Sequence, residues 1–95
     1  MKTSELTGNT LNWAVNYAEG LRGIFAPVEY CDKWSDGGPI IGREKIQIKE
    51  NEHGHWFARI GKGKWMRGTT PLIAAMRCYV ASKLGDEVNV PEVVA

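Results

Sequence analysis

The chain has 95 residues, 43% of them hydrophobic and 24% charged, which is the size and balance of one small globular domain spanning residues 1–95. A formal net charge of +1 excludes a global electrostatic footprint for nucleic acid or membranes, so any basic site must be local. No apolar run reaches membrane-spanning length, and Lys2 followed by a polar segment does not read as a signal peptide. Cys31 and Cys78 lie far apart in no metal-type spacing, so a cytosolic, reduced chain is expected.

The first element is a helix over about 8–19. Thr7 is placed to cap it, and Gly8 and Asn9 are poor interior residues but tolerable in a first turn. Leu11, Ala14, Val15 and Ala18 form an apolar stripe, Trp13 and Tyr17 a second line four residues apart, and Gly20 a stop. Residues 21–39 lose periodicity. Gly23, Pro27, Gly37, Gly38 and Pro39 punctuate them, with Asp32, Ser35 and Asp36 adding turn chemistry. So long a loop is either functional or hides an element. Val28–Tyr30 reads as a short strand, and Pro39–Glu44 reads equally as a single helical turn started by Pro39.

From Lys45 the period changes to two. Ile46 and Ile48 alternate with Lys45, Gln47 and Lys49, Glu50–Gly54 is a turn, and His55–Ile60 returns as the second strand of a hairpin over about 45–60. Gly61–Gly68 is expected to hold a short third strand at its Trp65 end. The clearest element follows, a helix over about 70–84 with Thr70 as N-cap, Pro71 at the first position, Lys83 in the last turn and Gly85 past the end. Its expected face is Leu72, Ile73, Met76, Val80 and Leu84, with Ala75 and Cys78 beside the stripe. The tail after Gly85 docks partly or frays. The fold class is therefore α+β, a small antiparallel sheet packed by an N-terminal and a C-terminal helix.

Candidate chemistry is sparse. His53 and His55 bracket Gly54 with no convincing further metal ligands, and a polar hairpin tip is the plainer reading. Gly61-Lys62-Gly63-Lys64 lacks the spacing of a nucleotide-hydrolysis loop, yet Lys62, Lys64 and Arg67 beside Trp65 suit an anionic ligand with an aromatic base. Trp34, in a turn-rich stretch, is either a binding contact or a plug over the core. Cys78 reads as a small core side chain. No nucleophile, acid–base pair, metal cluster or cofactor motif can be assigned, so no catalytic residue is named and the chain is not read as an enzyme.

Several segments together resemble one family. They are Ser4-Glu5-Leu6-Thr7-Gly8 with Leu11, Ala14 and Ala18-Glu19-Gly20; Trp34 with Gly37-Gly38-Pro39-Ile40-Ile41; Trp56-Phe57-Ala58; and Thr70 to Arg77 through Gly85. In this order they resemble the NinX family of lambdoid phage proteins. The first and last segments are also similar to small phage ABA-sandwich domains, which implies a sheet between helix layers. The family carries no assigned activity, so it implies an origin: an accessory protein of a temperate phage, made in the host bacterial cytoplasm.

Two functional readings stand together. One is a non-enzymatic binder that sequesters a nucleotide-derived signal of host antiphage defence, with Trp65 or Trp34 stacking and Arg43, Lys62, Lys64 or Arg67 pairing with phosphate. The other is an interaction module that inhibits or redirects a host or phage enzyme, such as a host defence protein, using the same residues as hot spots. Duplex DNA is a poor partner for a chain of this charge without a helix-turn-helix. Exposed tryptophans also suit a homo-oligomer with a site between chains.

Overall fold

The expected closing helix sits at the centre of the molecule. In the computed structural model, which describes residues 1–20, 28–92 and 94, it runs over Pro71–Leu84 and is labelled α3 below. The Ile73 N–H donates to the Thr70 hydroxyl at 3.1 Å, Pro71 occupies the first turn, and Gly85 ends the helix at φ 88°. The other two helices are α1, Gly8–Ala18, and α2, Trp34–Glu44. The sheet comprises β1, Ile46–Glu50; β2, Trp56–Ile60; and β3, Met66–Gly68. It is antiparallel in the order β1-β2-β3, with Ile48 opposite Ala58 and Ala58 opposite Met66.

The α+β class, the hairpin, the third strand and both expected helices are all present. The cap at Thr7 takes the form of a local loop of bonds, in which the Thr10 hydroxyl donates to the Thr7 carbonyl at 2.7 Å and accepts from the Thr7 N–H at 3.2 Å. Trp13 and Tyr17 pack as a tilted ring pair with centroids 5.2 Å apart.

Helix α3 departs from the expected single stripe. Leu72, Ala74, Ala75, Met76, Cys78, Tyr79 and Val80 are all buried, so the helix is covered around most of its circumference, as a central helix must be. The strands lie on one side, and α1 and α2 pack on α3 from elsewhere around it. Met76, Val80, Leu11, Val15, Ile46, Ala58 and Met66 share one core. The layer order is therefore sheet, α3, then α1 and α2. The sheet is an outer layer, and among the described residues no helix covers its far face, so the sandwich resemblance does not carry through to the layering.

The irregular stretch needs the largest correction. Trp34 to Glu44 form a complete helix where a turn-rich loop and a single turn from Pro39 are expected. Val28–Tyr30 are not a strand but lead into a turn, in which the Asp32 and Lys33 N–H groups both donate to the Glu29 carbonyl. The residues that hide this helix are those its packing requires. A Cβ at Gly37 would lie 2.3 Å from the Tyr30 carbonyl oxygen and 2.7 Å from Leu72 Cδ1, so only glycine lets α2 close on α3. Pro39 removes one internal donor. Burial of Ile40 and Gly37 against α3 outweighs these low propensities. The remainder of that stretch, residues 21–27, lies outside the described residues, and so do Val93 and Ala95 in the tail.

The open face of the sheet as candidate functional site

Strand alternation sorts the sheet residues into two sets. Ile46, Ala58 and Met66 are buried towards α3. Their neighbours point the other way, and the register aligns them in rows: Lys49, Phe57 and Arg67 in one, Gln47 and Arg59 in the next. Trp65, one residue before β3, folds onto this same face. Its ring centre is 4.2 Å from the Lys49 ammonium and 4.5 Å from the Arg59 guanidinium carbon. Arg59 also donates to Gln47 Oε1 at 3.3 Å. At the other end, Arg67 Nη2 lies 3.0 Å from His55 Nε2.

Among the described residues, the cations of this face stand without carboxylate partners: Lys49, Arg59, Lys62 and Arg67 form no ion pair with a carboxylate, while Lys33, Arg43, Lys64 and Lys83 each do. Cations drawn onto an aromatic ring keep their charge unneutralised, because the ring quadrupole attracts without cancelling it. The face thus couples uncompensated positive charge with two half-buried aromatic rings, Trp65 and Phe57.

The structure separates the six residues expected to bind. Trp65 and Arg67 stand on the open face, and Lys62 lies exposed in the β2–β3 turn beside it. Lys64 points towards the chain ends, 3.5 Å from Asp86, beside a shallow cleft of about 190 Å³ lined by Lys2, Ser4, Met66 and Glu87. Trp34 and Arg43 belong to α2, on the far side of α3. Trp34 is 54% exposed at the start of that helix and does not plug the core.

Arg43 is tied into a polar junction of the three helices. Its Nη1 and Nη2 donate to the two carboxylate oxygens of Glu19 at 3.0 and 2.7 Å, its Nε to Glu44 at 2.8 Å, and Nη2 also to the Tyr79 hydroxyl at 3.2 Å. The Tyr79 hydroxyl in turn donates to Glu19. The Arg43 bond holds the Glu19 carboxyl below its ordinary range. Burial, then the Glu19 bond, pushes Tyr79 up to about 12. The Arg43 charge is already matched by carboxylates, an arrangement suited to joining helices.

The histidines sit as the hairpin tip requires. Asn51 Oδ1 accepts from the His53 and His55 N–H groups at 3.0 and 2.9 Å, which shapes the turn. Among the described residues no group of three His, Cys, Asp or Glu side chains is placed to hold a metal. Cys31 and Cys78 are both free and buried, and burial raises each thiol to about 11. Among the described residues no helix is long and apolar enough to cross a membrane.

Lys49, Phe57 and Arg59 are not among the residues that the sequence marks for binding, and His55 is marked there only as half of a doubtful metal pair. The signal was present: carrying the alternation of Ile46 and Ile48 across the hairpin turn places Phe57 and Arg59 on the same face as Lys49.

No curated protein sequence matches the chain. The family model described as Bacteriophage P22, NinX matches residues 24–83, well over half its length. That span includes α2, the whole sheet and nearly all of α3, so the match covers the open face and its supporting helix. The chain therefore belongs to the NinX family of phage accessory proteins.

Proposed function

We propose that this phage accessory protein is a non-enzymatic binder that takes up a nucleotide-derived ligand on the open face of its sheet, and so sequesters a signal of host antiphage defence. The observation behind this reading is the pair of cations Lys49 and Arg59 held on the Trp65 ring without a carboxylate partner among the described residues, with Arg67 on the same face and Lys62 in the adjoining turn. Phosphates pair with such cations, and a base stacks on the ring once Lys49 or Arg59 swings to phosphate. A ligand lacking either part leaves half of the face unused. The test is native mass spectrometry of protein purified from phage-challenged, defence-bearing bacteria. A retained mass matching a nucleotide derivative, lost in Trp65→Ala, supports the reading. An unliganded mass, together with no calorimetric response to a nucleotide panel, overturns it.

A second reading is an interaction module acting on a host or phage enzyme. It is favoured by Trp34, a large ring left 54% exposed on α2 away from the sheet, since exposed tryptophan is a frequent interface anchor. Loss of a stoichiometric protein partner in Trp34→Ala, with Trp65→Ala still bound, is the result expected of it.

A further inference from the structure

We infer that the open face accommodates an extended single-stranded oligonucleotide, contacting at least two consecutive nucleotides, in preference to a lone mononucleotide. The inference rests on the binding reading above and specifies its ligand.

Three features of the face lead to it. First, two aromatic rings occupy neighbouring positions. Trp65 lies against Arg59 and Lys49, and Phe57 is half-buried in the middle of the adjacent row between Lys49 and Arg67. A single base covers one ring, while two successive bases use both, and each stacked base adds roughly ten-fold or more to affinity. Second, the cations come from different elements: Lys49 and Arg59 meet at the Trp65 ring, while Arg67 stands in the row next to that of Arg59, 3.0 Å from His55. Lys49 is on β1, Arg59 on β2, Arg67 at β3 and Lys62 in the turn between β2 and β3. With one pair of charges at Trp65 and Arg67 a row on from Arg59, the positive charge extends along the face, which suits a run of phosphates better than one phosphate group. Third, the outward positions Gln47, Lys49, His55, Phe57, Arg59 and Arg67 include no carboxylate, so nothing along this path repels the backbone.

The same features disfavour a duplex, whose stacked bases offer no faces to Trp65 and Phe57. A sheet with aromatic side chains on its solvent face is instead a platform for unpaired bases.

Fluorescence anisotropy of a labelled 12-nucleotide oligo-dT with the intact protein tests this, with AMP and a 12-base-pair duplex as competitors. The expected result is that oligo-dT binds at least a hundred-fold more tightly than AMP and at least ten-fold more tightly than the duplex. If all four cations engage phosphate, a fourfold rise in salt should weaken the complex by roughly fifty-fold. Phe57→Leu and Arg59→Gln should each weaken oligo-dT at least ten-fold, whereas Lys33→Gln, near α2, leaves it unchanged. Circular dichroism melting of each variant separates lost contacts from lost fold. Equal affinity for oligo-dT and AMP, or a duplex bound as tightly as the single strand, overturns the inference and leaves nucleotide binding standing. Binding of none of the three overturns the inference, and with it the nucleotide reading when the calorimetric panel is also silent.

Discussion

Gly68 lies so close to α3 that a Cβ built on it would fall 2.4 Å from the Ala74 amide nitrogen and 2.8 Å from its Cα. Both contacts are backbone, so no side chain can rotate away. Gly68→Ala must therefore push β3 off the helix, at about 3 kcal/mol, with a fall in Tm on the order of 15 °C for a domain of this size. Gly42 provides the opposite case. It lies in α2, its φ is not positive, and nothing stands within 4 Å of a Cβ placed there. Gly42→Ala should raise stability by about 0.5–1 kcal/mol. Urea denaturation of the two variants beside the parent measures both effects.

Both thiols should be silent in the folded protein. Cys31 is 3% and Cys78 4% exposed, and burial raises each to about 11. At neutral pH almost no thiolate is present, and the thiolate is the reactive form. Ellman's reagent is expected to leave both unmodified in native buffer and to modify both in denaturant. Prompt labelling of either in native buffer would contradict the packing described.

Glu19 and Tyr79 make stability pH-dependent at opposite ends. Glu19 titrates below its ordinary value of 4.5 in the folded chain, chiefly through the Arg43 bond. Its contribution is complete above 4.5 and is lost as pH falls through the folded value. Tyr79 is shifted from 10 to about 12, so its contribution holds below pH 10 and declines as pH rises towards 12. Glu19→Gln should flatten part of the acid limb of a urea-midpoint profile. Tyr79→Phe should flatten part of the alkaline limb and cost about 1–2 kcal/mol at neutral pH.

Stability and binding should separate on the open face. Each cation–π contact at a surface site stabilises by about 0.5–1 kcal/mol, so Lys49→Gln and Arg59→Gln should each lower stability by no more than about 1 kcal/mol. Nucleotide affinity, where it is measurable, should fall at least ten-fold in the Arg59 variant. Parallel melting curves and calorimetric titrations resolve the two effects. Large destabilisation with unchanged affinity would make Arg59 a structural residue.

The contrast between α3 and α2 explains how far the sequence could be read. Thr70, Pro71 and Gly85 act locally, through one turn of backbone at each end of α3, so they are legible in the chain itself. Gly37 acts across space, on Leu72 and Tyr30, and a residue chosen for distant contact looks like a loop residue from within the chain. The open face was half legible for a related reason. Trp65 and Arg67 are legible as a pair because they neighbour each other in sequence. Lys49 and Arg59, which lie against Trp65, join it only through strand register. Arg43 reads in sequence as a free charge, and only the folded chain reveals that Glu19, Glu44 and Tyr79 already hold it.

The pairing of the two ends of the chain has a mechanical consequence. Met1 exchanges hydrogen bonds with Val88 in both directions, Lys2 bridges Glu87, and the Thr3 N–H donates to the Asp86 carbonyl while its hydroxyl donates to Gly85. The two segments run antiparallel, and pulling at residue 1 against the tail loads these bonds singly, beginning at Met1 and Val88. Such a junction peels like a zip and gives way at low force, unlike strands that must shear together. Tension applied at the ends would release this clasp first and leave α3 and the sheet it supports intact.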